Sequence, residues 1–215
     1  MKAVLIAFLA VAVLASQPGI VHSVEFTANN EIIAKSEHVK KERVGVDIAT
    51  IVNVALTVWD IIKENAPVIN YATDYANAIP KDAGWLDLEN FTDTKYGPFG
   101  WVMKDVLNLT LVEFKFYFSY ACQGSYEGHG KFLDNVTPSI EHIYAANGWT
   151  VNVNTTIPER PTNYGTRVDP IAGLQVLVTL DARSVLQQFV HKCHVSIKGD
   201  CSVTILGCDG YDKML

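Results

Sequence analysis

The chain has 215 residues, 49% of them hydrophobic and 19% charged, with a formal net charge of -6. That composition supports one globular domain with a sizeable core and excludes an intrinsically disordered chain. An acidic chain with no extended Lys/Arg cluster also lacks the electrostatic attraction that nucleic acid or anionic lipid would need, so no nucleic-acid partner is expected.

At the N-terminus, Lys2 precedes the apolar run Ala3 to Ala15. The run is too short to span a bilayer and has the make-up of a signal-peptide core. Val13 and Ala15 fit the small-residue cleavage rule, and Ser23 is a second candidate end point, so residues 1–15, or up to 23, are read as a signal peptide. Its removal takes away Lys2 alone and leaves the chain one charge more negative. Residues 24–43 are polar and charge-mixed and read as an N-terminal arm; the remainder, 44–215, reads as a single β-rich domain.

Within that domain, 44–64 carries the one helical period. Val44, Ile48, Ile51, Val52, Ala55, Trp59 and Ile62 recur at three- and four-residue spacing, with Asp47, Thr50, Asn53, Thr57, Asp60 and Glu64 opposite, and Asn65 and Pro67 after them. This predicts an amphipathic helix laid across a sheet. Read as a membrane-active element instead, helix 44–64 would supply membrane contact. Asp47 and Asp60 oppose a resting span, and the lack of basic residues on its polar face opposes a surface-seeking one.

Residues 67–100 read as a connector rich in aromatics. Trp85, Tyr96, Phe99 and Trp101, set among Gly, Pro and Asp, are the candidate ligand-binding residues; the plainer alternative is that they anchor a long loop to its own domain. Val106 to Cys122 has the longest two-residue alternation in the chain. Phe114, Phe116, Phe118 and Tyr120 fall on one side, and Glu113, Lys115, Tyr117 and Ser119 on the other. Leu107, Leu109 and Leu111 have the opposite parity, so the phase slips near Leu111 and Val112, and a β-bulge would absorb the extra residue. Burying the three phenylalanines contributes roughly 5–9 kcal/mol of gross transfer energy, which points to a central strand.

Gly124 to Lys131 resembles a phosphate loop only superficially. Ser125 stands where the first glycine is required, Phe132 replaces the magnesium-holding Ser/Thr, and no helix opens; a hairpin is the better reading. Short strands then follow at 131–136, 140–146 and 149–156, with Asn147-Gly148 as a hairpin signal between the last two. Ala172 to Leu180 and Phe189 to Ile197 alternate cleanly, and Val203 and Ile205 follow a turn at Lys198-Gly199-Asp200. The expected fold is mainly β, an antiparallel sandwich of about seven strands with an N-terminal amphipathic α-helix.

Cys122, Cys193, Cys201 and Cys208 imply two disulfides in an exported chain. A three-residue turn at 198–200 would pair Val195 with Val203 and hold Cys193 and Cys201 out of reach, which favours a long-range bond from Cys122. His191, Cys193 and His194 match no usual zinc spacing, so no metal site is expected, nor any cofactor. Four Asn-x-Thr sequons, at Asn90, Asn108, Asn135 and Asn154, agree with secretion and are candidate glycosylation sites. Hydrolase motifs are missing. Glu113, Glu127, Asp134, Glu141 and Asp181 could supply a carboxylate pair of the glycosidase kind, as could the acids of almost any protein. The sequence therefore reads as a secreted, N-glycosylated, disulfide-bonded and non-enzymatic binding or surface-interaction protein, with an extracellular glycan, lipid or protein as its partner. The alternatives are a pore-forming or membrane-lytic protein and a secreted hydrolase.

Overall fold

The computed structural model describes residues 21–32, 47–53, 56–63, 68–158 and 160–210. These residues form twelve strands and one short 3-10 turn at Trp85–Asp87. The strands are β1 (Val21–Ile32), β2 (Asp47–Asn53), β3 (Leu56–Lys63), β4 (Val68–Lys81), β5 (Thr92–Asp105) and β6 (Thr110–Tyr126). They continue with β7 (His129–Ala145), β8 (Thr150–Thr156), β9 (Thr162–Asn163), β10 (Ala172–Arg183), β11 (Gln188–Lys198) and β12 (Val203–Cys208). The hydrogen-bonded order is β1-β5-β6-β7-β4-β8-β10-β11-β12. Strand β4 belongs to both halves of this path. Its C-terminal part pairs with β7 through Ala76 and Ala78, and its N-terminal part runs parallel to β8 from Val68 to Ala72. The fold is thus mainly β, with two sheets joined through β4.

Strand β6 is central, paired with β5 on one side and β7 on the other. Its phenylalanines are buried and its Glu113, Lys115 and Tyr117 are half-exposed, as the alternation requires. The bulge falls where the phase slips: Thr110 pairs with Lys104 and Val112 with Met103, leaving Leu111 as the extra residue. Strand β6 begins only at Thr110, however, so Asn108 sits in a turn and not on the outer face of the strand. At the other end of β6, Glu127 and Gly128 both have positive φ, 48° and 78°, and make the two-residue hairpin to β7.

Four expectations change. The predicted helix at 44–64 is absent where its residues are described: 47–53 and 56–63 are strands, both paired with β4. The segment is crowded with β-branched side chains (Ile48, Thr50, Ile51, Val52, Thr57, Val58, Ile61, Ile62), which lose χ1 freedom in a helix and fit a pleated surface. Spacing alone was misleading. Part of the expected arm is also ordered into the sheet, since β1 pairs with β5; positions 1–20 and 33–46, including the expected signal peptide at 1–15, lie outside the described residues. Asn147-Gly148 does form a turn, with Gly148 at φ 86°, but not a hairpin, because β7 and β8 are not partners. The turn carries the chain across to the other sheet, where β8 meets β4 and β10. Finally, the β11–β12 register is shifted by two, Ile197 facing Val203 and Val195 facing Ile205. The turn reaches to Ser202, and Cys201 within it takes φ 69°.

Between the sheets, Phe99, Trp101, Phe114, Phe116 and Phe118 form a run of ring contacts from β5 and β6. Leu174, Val176, Val178, Leu180, Val195 and Ile197 of β10 and β11 belong to the same buried cluster. Trp101 stacks on His191 of β11 at 5.8 Å, and Tyr120 donates its hydroxyl to the Cys201 carbonyl at 3.2 Å. Two disulfides complete the connections, Cys122–Cys201 and Cys193–Cys208. The long-range bond from Cys122 is the one the sequence favoured.

Candidate functional site

Among the described residues, the registers place the chain reversals at one of two ends. At the first lie the Glu127–Gly128 hairpin, the β11–β12 turn and the loop before β10. At the second lie the β5–β6 turn, the β7–β8 crossing and the β10–β11 turn, since Val112 faces Ala145 and Thr150 faces Arg183. The Trp101–His191 stack sits between the sheets. From it, β5 runs four residues to Asp105 and β11 runs back four to Gln187, so both turns project beyond the core on the same side.

These two turns are apolar and alike in construction. In the β5–β6 turn, Asp105 is buried and its Oδ1 accepts from the amides of Leu107 and Leu109, each at 2.9 Å. The Asp105 carbonyl also accepts from Asn108 N at 3.0 Å. In the β10–β11 turn, Ser184 Oγ accepts from the amides of Leu186 at 3.3 Å and Gln187 at 3.1 Å, while Ser184 N donates to Gln187 O at 2.7 Å. A polar residue opening the turn thus holds its backbone, and the aliphatic side chains are left outside. Val106, Leu107 and Leu109 are 38%, 59% and 57% exposed, and Val185 and Leu186 are 97% and 70% exposed. The core is filled without them.

Beside the first turn an open groove of about 740 Å³ is lined by Leu109, Leu111, Tyr144, Glu113, His142 and Asn147, among others. Its charges are matched. Glu113 lies 2.7 Å from Lys115 and 3.8 Å from His142, and the Lys115 hydrogen bond holds the Glu113 carboxyl below its usual range. Across the same end, Arg183 makes a forked contact to Asp181 and keeps that carboxyl low as well. Neither acid is poised to give up a proton near neutral pH. The Asp134 carboxyl is held up by burial, and its Oδ1 accepts from Asn135 N at 2.8 Å.

The aromatic ligand-site candidates separate. Phe99 and Trp101 are fully buried, and Trp101 Nε1 donates to the Asp209 carbonyl at 3.0 Å, so both are inter-sheet packing and not the lining of an accessible site. They stand in β5 and not in a loop. Tyr96 is half-buried against Phe99 at 5.6 Å. Trp85 opens the 3-10 turn, and its side chain lies outside the described residues. All four cysteines are in disulfides, which leaves no thiolate to bind metal. Asn90, Asn108, Asn135 and Asn154 are all exposed, the first three with positive φ.

The exposed aliphatic turns were missed by reasoning from sequence, although a signal existed. Leu107 and Leu109 are out of phase with the phenylalanine run, and Val185-Leu186 falls between two strands where turn residues belong. No protein-family model matches the chain, and no curated protein and no solved structure matches it.

Proposed function

We propose that the chain is a secreted, N-glycosylated, non-enzymatic β-sandwich protein that attaches to membrane surfaces through its apolar turns. The observation that carries this is the pair of rigid turns at one end, exposing Val106, Leu107, Leu109, Val185 and Leu186 with no charged residue among them. Two disulfides are compatible with an extracellular or secreted protein.

Lipid suits this end better than protein. Protein interfaces centre on Tyr, Trp and Arg set in pockets, whereas the apolar side chains these turns offer are Val and Leu alone. Glu113 and Asp181 are paired with Lys115 and Arg183, and the buried Asp105 carboxylate is satisfied by two turn amides. Moving the exposed parts of the five side chains into hydrocarbon contributes on the order of 6 kcal/mol, a reversible attachment comparable to one short acyl chain. With a net charge of -6, binding should favour zwitterionic over anionic vesicles and respond weakly to salt.

The lytic alternative rested on helix 44–64, whose described residues are strands, and on the alternating segments 172–182 and 187–197, which are strands long enough for a barrel. Co-flotation of unglycosylated protein with phosphatidylcholine vesicles, with dye release measured in parallel, tests the reading. Flotation without leakage supports attachment; leakage restores the lytic reading; neither removes both.

A further inference from the structure

The sequon Asn108-Leu109-Thr110 lies inside the apolar turn, and this coincidence bears on how attachment is controlled. Asn108 is exposed, at φ 62°, directly between Leu107 and Leu109. Its backbone amide is bonded to the Asp105 carbonyl, and the Asp105 carboxylate holds the amides on either side. The backbone of the three positions is therefore fixed, and a group attached at Asn108 is anchored directly between the two leucines.

We infer that Asn108 is a glycosylation gate on the membrane-attaching end: a chain carrying an oligosaccharide at Asn108 is held off the bilayer, and a chain without it attaches. This rests on the attachment reading above. The modification is the ordinary one for the sequon. Asn108 Nδ2 forms a bond to the anomeric carbon of a lipid-diphosphate-linked oligosaccharide, the bond from that carbon to the diphosphate breaks, and one amide proton is lost. The product is a bulky, strongly hydrated group at the point where Leu107 and Leu109 would enter hydrocarbon. Burying it there would strip its hydroxyls of water without offering partners, a cost that opposes the gain from two leucines.

The other sequons serve as internal comparisons. Asn90 lies near the Glu89–Ser125 bridge and Asn135 beside Asp134, both toward the opposite end, and Asn154 pairs with Thr179 partway along β8. Glycans on these three leave the apolar turns clear, so occupancy there does not bear on attachment.

The full chain, secreted from a glycosylating host, is floated with phosphatidylcholine vesicles, and occupancy at each sequon is read by mass spectrometry in the bound and free fractions. Thr110→Val removes the Asn108 sequon while keeping the asparagine in its left-handed conformation, and Asn154→Gln removes a distant one. The gate predicts Asn108 occupancy in the free fraction, its depletion from the bound fraction, about tenfold stronger flotation for Thr110→Val, and no change for Asn154→Gln. Wild type produced in an oxidising compartment that does not N-glycosylate, and so keeps Asn108 as an unmodified amide, should reproduce the Thr110→Val result should that variant secrete poorly. Equal flotation of chains with and without the Asn108 glycan overturns the gate while leaving attachment standing. So does secretion of the chain with Asn108 wholly unmodified. Failure of the unglycosylated chain to float overturns attachment itself, and the gate with it.

Discussion

The two ends of the molecule are built to opposite purposes. The end bearing the Gly-rich hairpin is tied across: Cys122 is bonded to Cys201, Gln123 N donates to Gly199 O at 2.7 Å, Gly130 N to Asp169 Oδ1 at 2.9 Å, and Gly199 N to Ala172 O at 2.7 Å. Its exposed aliphatics, Leu86 and Val168, stand singly beside Asp87 and between Arg167 and Asp169. Single residues of this kind are ordinary on a soluble surface. At the other end the first residue of each turn, Asp105 or Ser184, holds its backbone, and the aliphatics come in groups. One end holds the sheets together, and the other is free to meet something outside.

That contrast yields graded expectations. Replacing Cys122 and Cys201 by alanine should cost the most stability. Their sequence separation is 79, against 15 for Cys193 and Cys208. Chain entropy then gives about 4.5 kcal/mol for the first bond and about 3 for the second, to be read from urea unfolding at equilibrium. A smaller loss for the 122–201 pair would show that the cross-linked end is not the firmer one.

Gly199→Ala should come next. A Cβ there would meet the Lys131 carbonyl oxygen at 2.1 Å and its carbon at 2.5 Å, both backbone atoms. Relieving that overlap separates the β11–β12 turn from β7 and should cost about 1–3 kcal/mol, measured the same way.

His191 supplies a pH dependence. Burial beside Trp101 lowers its pKa, only partly offset by the charge of Asp209, and its Nε2 is buried without a hydrogen-bond partner. The unfolded chain therefore takes up this proton at a higher pH than the folded chain does. The stability associated with neutral His191 is fully present above the ordinary histidine pKa and is lost as pH falls through the lowered folded value. His191→Phe should flatten the dependence of the urea midpoint between neutral and mildly acidic pH, and an unchanged slope would locate the titration elsewhere.

The smallest effect on stability should come from Leu107→Ser with Leu109→Ser, within about 0.5 kcal/mol of wild type, because both side chains already face water. The same variant should lose vesicle flotation. A large stability loss there would mean that these leucines serve the fold.

How far this was legible in the sequence varies by region. The phenylalanine alternation marked β6, and the phase slip located its bulge at Leu111, because period-two burial is a local rule that tertiary contacts reinforce. The segment 44–64 misled because its apolar residues satisfy a helical spacing while their β-branching favours strand, and pairing with β4 decides between the two. Phe99 and Trp101 looked like loop aromatics because Gly97-Pro98 interrupts the pattern, yet the ladder resumes across the break, from Tyr96–Phe118 to Phe99–Phe116. The out-of-phase Leu107 and Leu109 and the Val185-Leu186 pair between strands were a signal, but their meeting at one end was not legible. It depends on which turns share an end, and that is fixed by pairings between residues far apart in the chain.

The most direct test places one new tryptophan at a time at Leu109, at Leu186 and, for comparison, at Leu86 on the cross-linked end, in unglycosylated protein bound to vesicles containing brominated lipid. The account predicts quenching beyond that of the native tryptophans for Leu109→Trp and Leu186→Trp, strongest with bromines placed shallow in the acyl chain, and no added quenching for Leu86→Trp. Equal quenching at all three positions, or none at Leu109 and Leu186, would contradict it.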